Sequence, residues 1–282
     1  MPVVYIGTAP FAAALLHELA GGAWRPALVV SRPDARQGRG RRTAPPPVAV
    51  AAGELGIPLL QPPDVNDAAT VAAIDAAAGP DGAVVLCAFG ALISGPLLTG
   101  HEIVNVHPSL LPRWRGAAPI ERAIIAGDEQ TGVSLMRLVP ELDAGPLFAQ
   151  RPVAIGPGDD FGTLSARLEQ LAAELLAETL AQQPLPVPVA QSQTGITYAD
   201  KIVAADRTLD PARPAIERER VVRALRPHIG ARIELEDGTM LGVLDARARE
   251  DGTLELLRVQ PPGGRPMDYA DYLRGHGPVP GH

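Results

Sequence analysis

Val3-Val-Tyr-Ile6 leads into the turn residues Gly7-Thr8-Ala9-Pro10, an Ala/Leu-rich stretch to about Ala20, and a second apolar run from Ala27 to Val30. Strand, turn, helix and strand in that order open a parallel, doubly wound α/β sheet. Later runs fit the same architecture. Gly82-Ala-Val-Val-Leu-Cys-Ala88 is apolar from end to end, as a strand covered on both faces requires, and Ile103 to Val106 is the next strand. The first turn lacks G-x-G-x-x-G, which argues against a nicotinamide enzyme, although Gly7 lets a ligand approach the backbone closely. G-x-x-x-x-G-K-[ST], the phosphate loop of nucleotide hydrolases, is missing as well.

The remaining elements are read from periodicity and punctuation. Helices are expected over Val48–Leu55, stopped by Gly56, and over Asn66–Ala78. A short strand is expected at Pro58–Leu60, and a further helix over Ala118–Ala126. Gly132–Leu138 and Phe148–Val153 read as two strands of a hairpin around Val139–Pro146, hence an antiparallel addition to the sheet. Phe161–Ala181 is a long amphipathic helix with Leu164, Leu168, Leu171, Leu175 and Leu176 near one face. The chain has 282 residues, room for one large or two modest domains. Composition changes at Gln182-Gln-Pro-Leu-Pro-Val-Pro188. The domains are therefore expected at 1–183 and 205–282, with 184–204 as linker. The second domain is expected to hold a helix at Ile216–Leu225. Three strands follow, near Ala231–Glu236, Thr239–Ala246 and Thr253–Val259, with Asp237-Gly238 and Asp251-Gly252 as turns. This is the pattern of a small antiparallel barrel.

Asn105 and His107 stand two apart at the end of the Ile103 strand, so they face the same side. Pro108 stops the ladder there, because proline has no N–H to donate. In open parallel sheets that edge is where ligands bind. A lone strand-terminal His is more often one whose hydrogen bonds are satisfied locally. The paired Asn105 and the downstream Asp143 shift the balance. An amide N–H can stabilise an oxyanion on a carbonyl under attack. Histidine, with an unperturbed pKa of about 6.5, can accept a proton from an attacking amine. A nearby carboxylate would orient the ring and stabilise its charged form, while the alternative for Asp143 is a turn former. No covalent nucleophile is evident. G-x-S-x-G is absent, Ser109 lies in a proline-bounded loop, and the single cysteine, Cys87, reads as an inert buried thiol. Direct acyl transfer to an amine fits this set best.

Charge limits the partners. The formal net charge of −7 argues against wholesale nucleic-acid coating. Residues 31–47 nevertheless carry Arg32, Arg36, Arg39, Arg41 and Arg42 against Asp34 alone, in a proline-rich loop with glycines around Arg39. It is either a solvated surface loop or an adaptable arm for phosphates. In 205–282, 12 arginines face 13 acidic residues, so that domain is not basic. One cysteine allows neither an internal disulfide nor a cysteine-rich zinc site, and no metal is expected. With no signal peptide and no run of 18 apolar residues, the chain reads as cytoplasmic.

Asn105-Val-His107-Pro-Ser109-Leu-Leu-Pro112, Arg-Trp-Arg-Gly116-Ala-Ala-Pro119 and Leu142-Asp143-Ala-Gly145 together resemble the signature of the folate-dependent formyltransferase superfamily. Gly7-Thr8 with Phe11-Ala12 matches that family's first strand–helix turn. Arg32-Pro33-Asp34 through Gly38-Arg39-Gly40 and Pro47-Val48 matches a basic insertion loop, and Tyr198-Ala199-Asp200-Lys201 a linker motif. Val259-Gln-Pro-Pro-Gly263 through Met267 matches in order. The loop narrows the resemblance to the branch that acts on charged initiator tRNA.

The resemblance implies a Rossmann-like N-terminal domain with a mostly parallel sheet and a C-terminal OB-like barrel that grips tRNA. It implies 10-formyltetrahydrofolate as donor, held by Ser109, Leu110, Leu111 and Pro112 and walled by Phe89 and Gly90. The acceptor would be the α-amine of initiator methionyl-tRNA. Asn105 and His107 would stabilise and deprotonate the tetrahedral intermediate, with Asp143 supporting His107. Arg39 would insert at the acceptor end while Arg41 and Arg42 contact phosphates. A monomer is favoured. The C-terminal domain is shorter than the family's and not net basic. Three other readings compete. One is the same chemistry on a small amine such as an amino-sugar nucleotide, which needs no long basic arm. Another is formyl-folate hydrolysis, which needs no second domain. The third is an inactive tRNA-binding module, which needs no Asn105, His107 or Asp143.

Overall fold

The computed structural model describes residues 1–37 and 42–279. Strand β1 (Val3–Gly7) is fully buried and runs into helix α1 (Pro10–Gly21), which has proline in its first turn, where no N–H is needed. The α1 residues Ala12, Leu15, Leu16 and Leu19 are buried at helical spacing. Strand β2 (Leu28–Val30) follows. The 31–47 stretch, expected as a loop, contains two short antiparallel strands, β3 (Ala35–Gln37) and β4 (Arg42–Ala44). Helix α2 (Pro47–Leu55) stops at Gly56, whose φ of 63° supplies the left-handed cap. Then come β5 (Leu59–Leu60), α3 (Ala68–Ala78, its first turn capped by Asp67), β6 (Ala83–Cys87), the six-residue α4 (Gly95–Gly100) and β7 (Ile103–His107).

Past β7 lie β8 (Arg115–Gly116), α5 (Pro119–Ala126), β9 (Gln130–Arg137), β10 (Leu147–Ala154) and α6 (Phe161–Leu180). The seven-stranded sheet has the order β10-β9-β7-β6-β1-β2-β5. β1 pairs in parallel with β2 and β6, β6 with β7, and β2 with β5. β9 joins β7 antiparallel, the sense expected of the hairpin. One sheet face packs Val4, Ile6, Val84, Leu86 and Ile103 against Ile74 and Ala78 of α3 and Leu97 of α4. Apolar burial of this kind is worth about 25 cal/mol per Å² and is the main force holding the sheet.

Two compact units emerge. The first comprises Met1–Arg115, Gly132–Pro152 and Arg167–Thr197; the second comprises Gly116–Thr131, Val153–Ala166 and the chain from Tyr198 onward. In the second, β11 (Tyr198–Ala199) precedes a short 3₁₀ turn (Ala205–Arg207) and α7 (Ala215–Leu225). β12 (Ala231–Glu234), β13 (Met240–Ala248), β14 (Leu254–Gln260) and β15 (Met267–Asp268) then form one antiparallel sheet, followed by α8 (Tyr269–Tyr272). The Asp-Gly pairs do form turns. Asp237 and Asp251 each accept from the N–H two residues on, and Gly238 and Gly252 take positive φ. Val222 and Leu225 of α7 pack on Ile233, Leu241, Val243, Leu256 and Val259. The register of β13 shifts between Val243 and Ala246, a bulge that bends the strand.

Candidate active site

The carboxyl ends of β1, β6 and β7 lie side by side, with Gly7 opposite Cys87 and Cys87 opposite Val106. After β5, on one side of β1, the chain crosses to β6 on the other, so strand order reverses at β1/β6. Doubly wound folds place ligands at that switch point. Gly7 has no room for a side chain: a Cβ would lie 2.9 Å from Ala12 Cβ and 3.0 Å from the Cys87 carbonyl oxygen.

Two strands' width away, β7 carries Asn105 and His107, 7% and 5% exposed. Pro108 ends the strand and the chain turns back, with Trp114 at φ 64°. His107 Nε2 lies 2.8 Å from the Trp114 carbonyl oxygen. A carbonyl only accepts, so Nε2 carries the proton and Nδ1 is the basic nitrogen of the neutral ring. Asp143 Oδ2 stands 3.7 Å from that Nδ1, and Asn105 Nδ2 donates to Asp143 Oδ1 over 3.5 Å. Asp143 sits in the β9–β10 turn at φ 45°, a left-handed conformation that Asp tolerates better than most residues. It is both a turn residue and the partner facing the imidazole, so the two readings of the sequence are not exclusive.

Ser109 to Pro112 run directly past this group. The Ser109 hydroxyl is buried and donates to the Arg113 carbonyl at 2.6 Å, and the Leu111 side chain is 3% exposed. Leu110 and Pro112 are half-buried. The loop is held from below by two residues with no counterpart among the expected site residues. Ser134 Oγ donates to the Ser109 carbonyl at 2.6 Å and accepts the Leu111 N–H at 3.1 Å. Gln150 Nε2 bonds the Leu111 carbonyl at 3.0 Å and Ser134 Oγ at 2.8 Å. Ser134 is opposite His107 in the β7–β9 register, and a polar residue within the apolar run Val133 to Met136 was its signal. Thr197 fixes the return of the chain: its Oγ1 accepts the Trp114 N–H and its carbonyl the Arg115 N–H, both at 2.9 Å.

The other expected residues are placed as follows. Phe89 is 5% exposed and belongs to the same core cluster as Ile6 and Ile93. Gly90 is exposed at φ 74°, and its carbonyl accepts from Arg32 at 2.9 Å. Arg42 is exposed on β4, whereas Arg39 and Arg41 lie outside the described residues. Burial pushes the Cys87 thiol up to about 12, so it offers no nucleophile at neutral pH. Among the described residues no group of three or more His, Cys, Asp or Glu side chains could hold a metal ion. No described helix is long and apolar enough to cross a membrane.

Residues 1–180 match the family described as Formyl transferase. The methionyl-tRNA formyltransferase of Halorhodospira halophila is 41% identical over 99% of this chain and 97% of its own length. That of Methylococcus capsulatus is 39% identical over 98% of this chain and 97% of its own. Among solved structures, HypX from Aquifex aeolicus in complex with tetrahydrofolic acid superposes with a TM-score of 0.65 at 15% identity. It covers 97% of this chain, which spans 47% of that protein's length.

Proposed function

This chain belongs to the formyl transferase family, and from that premise we propose that it moves the formyl group of 10-formyltetrahydrofolate to the α-amine of initiator methionyl-tRNA. The acceptor rests on one observation above all: the match to methionyl-tRNA formyltransferases runs the length of both proteins, past the catalytic sheet and through the C-terminal sheet. A folate donor is supported by family membership and by the tetrahydrofolic acid held in a protein of the same fold.

The chemistry follows from the atoms at the end of β7. The methionyl amine attacks the formyl carbon, the carbonyl oxygen takes up negative charge, and the amine becomes acidic. Asn105 Nδ2 carries two N–H bonds; one spans to Asp143 and the other is the donor assigned to the oxyanion. His107 Nδ1 takes the amine proton, because Nε2–H is committed to the Trp114 carbonyl. Asp143 lies on the Nδ1 side, where it stabilises the imidazolium that forms. Collapse of the intermediate returns the electron pair to the folate nitrogen, which takes up the proton held by the His107 imidazolium, and leaves the formyl group on methionine. No enzyme-bound acyl group is needed, in keeping with the inert Cys87 and the buried Ser109 hydroxyl.

The loop from Ser109 to Pro112 is assigned to the donor, with Leu110 and Pro112 as its partly exposed side chains and Gly90 as an exposed neighbour. Arg39, Arg41 and Arg42 are assigned to the tRNA, and residues 205–282 to an OB-like module that grips it. The division 1–183, 184–204 and 205–282 is kept as the functional one, in a cytoplasmic monomer. The decisive experiment mixes purified protein with 10-formyltetrahydrofolate and charged initiator tRNA and assays formylmethionine. Transfer only to an amino-sugar nucleotide, or release of formate alone, would replace this reading.

A further inference from the structure

Gln191 lies between α6 and β11, in the segment whose composition marks it as linker, yet it is only 6% exposed. Its side chain is fully engaged. Oε1 accepts from Arg115 Nη2 at 2.7 Å and from Arg115 Nε at 3.2 Å. Nε2 donates to the Asp143 carbonyl and to the Gly145 carbonyl, each at 2.8 Å. One amide therefore grips the turn at Asp143 and again two residues later, while the buried Arg115 grips the amide. The turn needs such support. Asp143 is left-handed at φ 45°, and non-glycine residues persist there only when their surroundings over-determine the conformation. Gly145 is pressed so close to β9 that a Cβ would fall 1.8 Å from the Arg137 carbonyl oxygen. The consequence reaches the site, because the side chain of the same Asp143 faces His107 Nδ1 at 3.7 Å.

We propose that Gln191 is a positioning residue for formyl transfer: with Arg115 it fixes the Asp143 backbone so that the carboxylate stays opposite His107. This rests on the reading of His107 as base and Asp143 as its partner. A packing role alone would leave turnover untouched once the protein is folded, whereas a positioning role makes Gln191 act only through Asp143.

The test uses the full chain and steady-state formyl transfer. Gln191→Ala is expected to lower kcat about 10–100-fold, the scale of a misplaced catalytic group, with both KM values within about twofold. Gln191→Glu keeps an acceptor for Arg115 but has no N–H for the two carbonyls, so it is expected to fold with a lowered Tm and still lose kcat at temperatures well below that Tm. If Gln191→Ala fails to fold, Gln191→Glu decides the matter. In a double-mutant cycle, Gln191→Ala placed on Asp143→Asn is expected to add nothing to the loss from Asp143→Asn alone. Additive losses, a defect confined to KM, or wild-type kcat in Gln191→Glu would overturn the proposal. Normal turnover by His107→Ala would instead overturn the underlying reading of the site, so the two failures are told apart.

Discussion

His107 Nδ1 lies 3.7 Å from Asp143 Oδ2, while the opposite ring nitrogen, Nε2, is held 2.8 Å from the carbonyl of Trp114. The imidazole is thus tied at one nitrogen by the chain's own backbone and faces a carboxylate with the other. At 3.7 Å the contact is too long for a hydrogen bond, and it is an ion pair only in the protonated ring that proton transfer creates. His107→Ala should therefore lower kcat/KM about 10²-fold or more, the usual scale for a general base. Asp143→Asn tolerates the left-handed backbone but loses the charge, and should lower kcat at least about 10-fold without unfolding the protein. Single-turnover transfer, read beside a thermal melt, separates catalytic loss from destabilisation. Near-normal turnover in His107→Ala would remove the base from the mechanism.

Much of the scaffold was legible before any coordinates. β1, β6 and β7 are runs of apolar or β-branched residues, α1 and α6 have helical periodicity, and Gly56 and the two Asp-Gly pairs punctuate the chain where expected. Those signals are local. The β3–β4 pair was not legible, because its arginine-rich sequence has no alternation and its strands are three residues each. α4 is too short for periodicity to register. At the site, Asn105 and His107 could be paired by spacing, but Ser134, Gln150 and Gln191 come into contact through strand register and a distant return of the chain. Phe89 shows that a residue beside an exposed glycine can still be buried in the core.

Ser134 tests the support beneath the donor loop. Ser134→Ala strands the Ser109 carbonyl and the Leu111 N–H, both bonded to this hydroxyl in a buried setting. An unmade buried hydrogen bond costs about 1–3 kcal/mol, and each kcal/mol should lower Tm by roughly 2–4 °C. The KM for the formyl donor should rise while that for charged tRNA holds. An unchanged donor KM would detach this loop from folate binding.

Gly132 tests the same support by volume. An added Cβ would sit 2.2 Å from the Arg151 carbonyl oxygen and 2.5 Å from Leu110 Cδ2. Leu110 can rotate aside, but the backbone oxygen cannot move without parting the β9–β10 pair. Gly132→Ala should destabilise by about 1–3 kcal/mol or more, as overpacking does, and chemical denaturation would measure it. A neutral substitution would mean that the two strands part easily.

In the second unit, two hydrogen bonds from Arg122 hold the Asp206 carboxyl below the usual carboxylate range. A depressed folded-state value means the stabilisation is complete above the unfolded-state value of about 3.9 and is lost as pH falls through the folded one. Asp206→Asn should therefore reduce Tm near neutral pH and narrow its gap to wild type as the solution is acidified below about pH 4. A gap that stays constant with pH would assign the loss to packing instead.

The arginine arm makes a prediction that salt can read. The chain is acidic overall, at −7, so any attraction for tRNA must be local. If Arg42, exposed on β4, and Arg39 contact phosphates, each removes condensed counterions on binding, and affinity falls linearly in log–log with salt. Replacing one by alanine should weaken tRNA binding and reduce the salt slope by about 1, while leaving the folate KM unchanged. Arg32 is the internal control, since its guanidinium already bonds the Gly90 carbonyl and sits at the carboxyl end of the sheet. Arg32→Ala should disturb the donor more than the salt slope. Equal losses of tRNA and folate in Arg39→Ala would point to a damaged fold. A salt slope left at its wild-type value in both Arg39→Ala and Arg42→Ala would take the arm out of tRNA recognition, and the small-amine acceptor would then explain the site better.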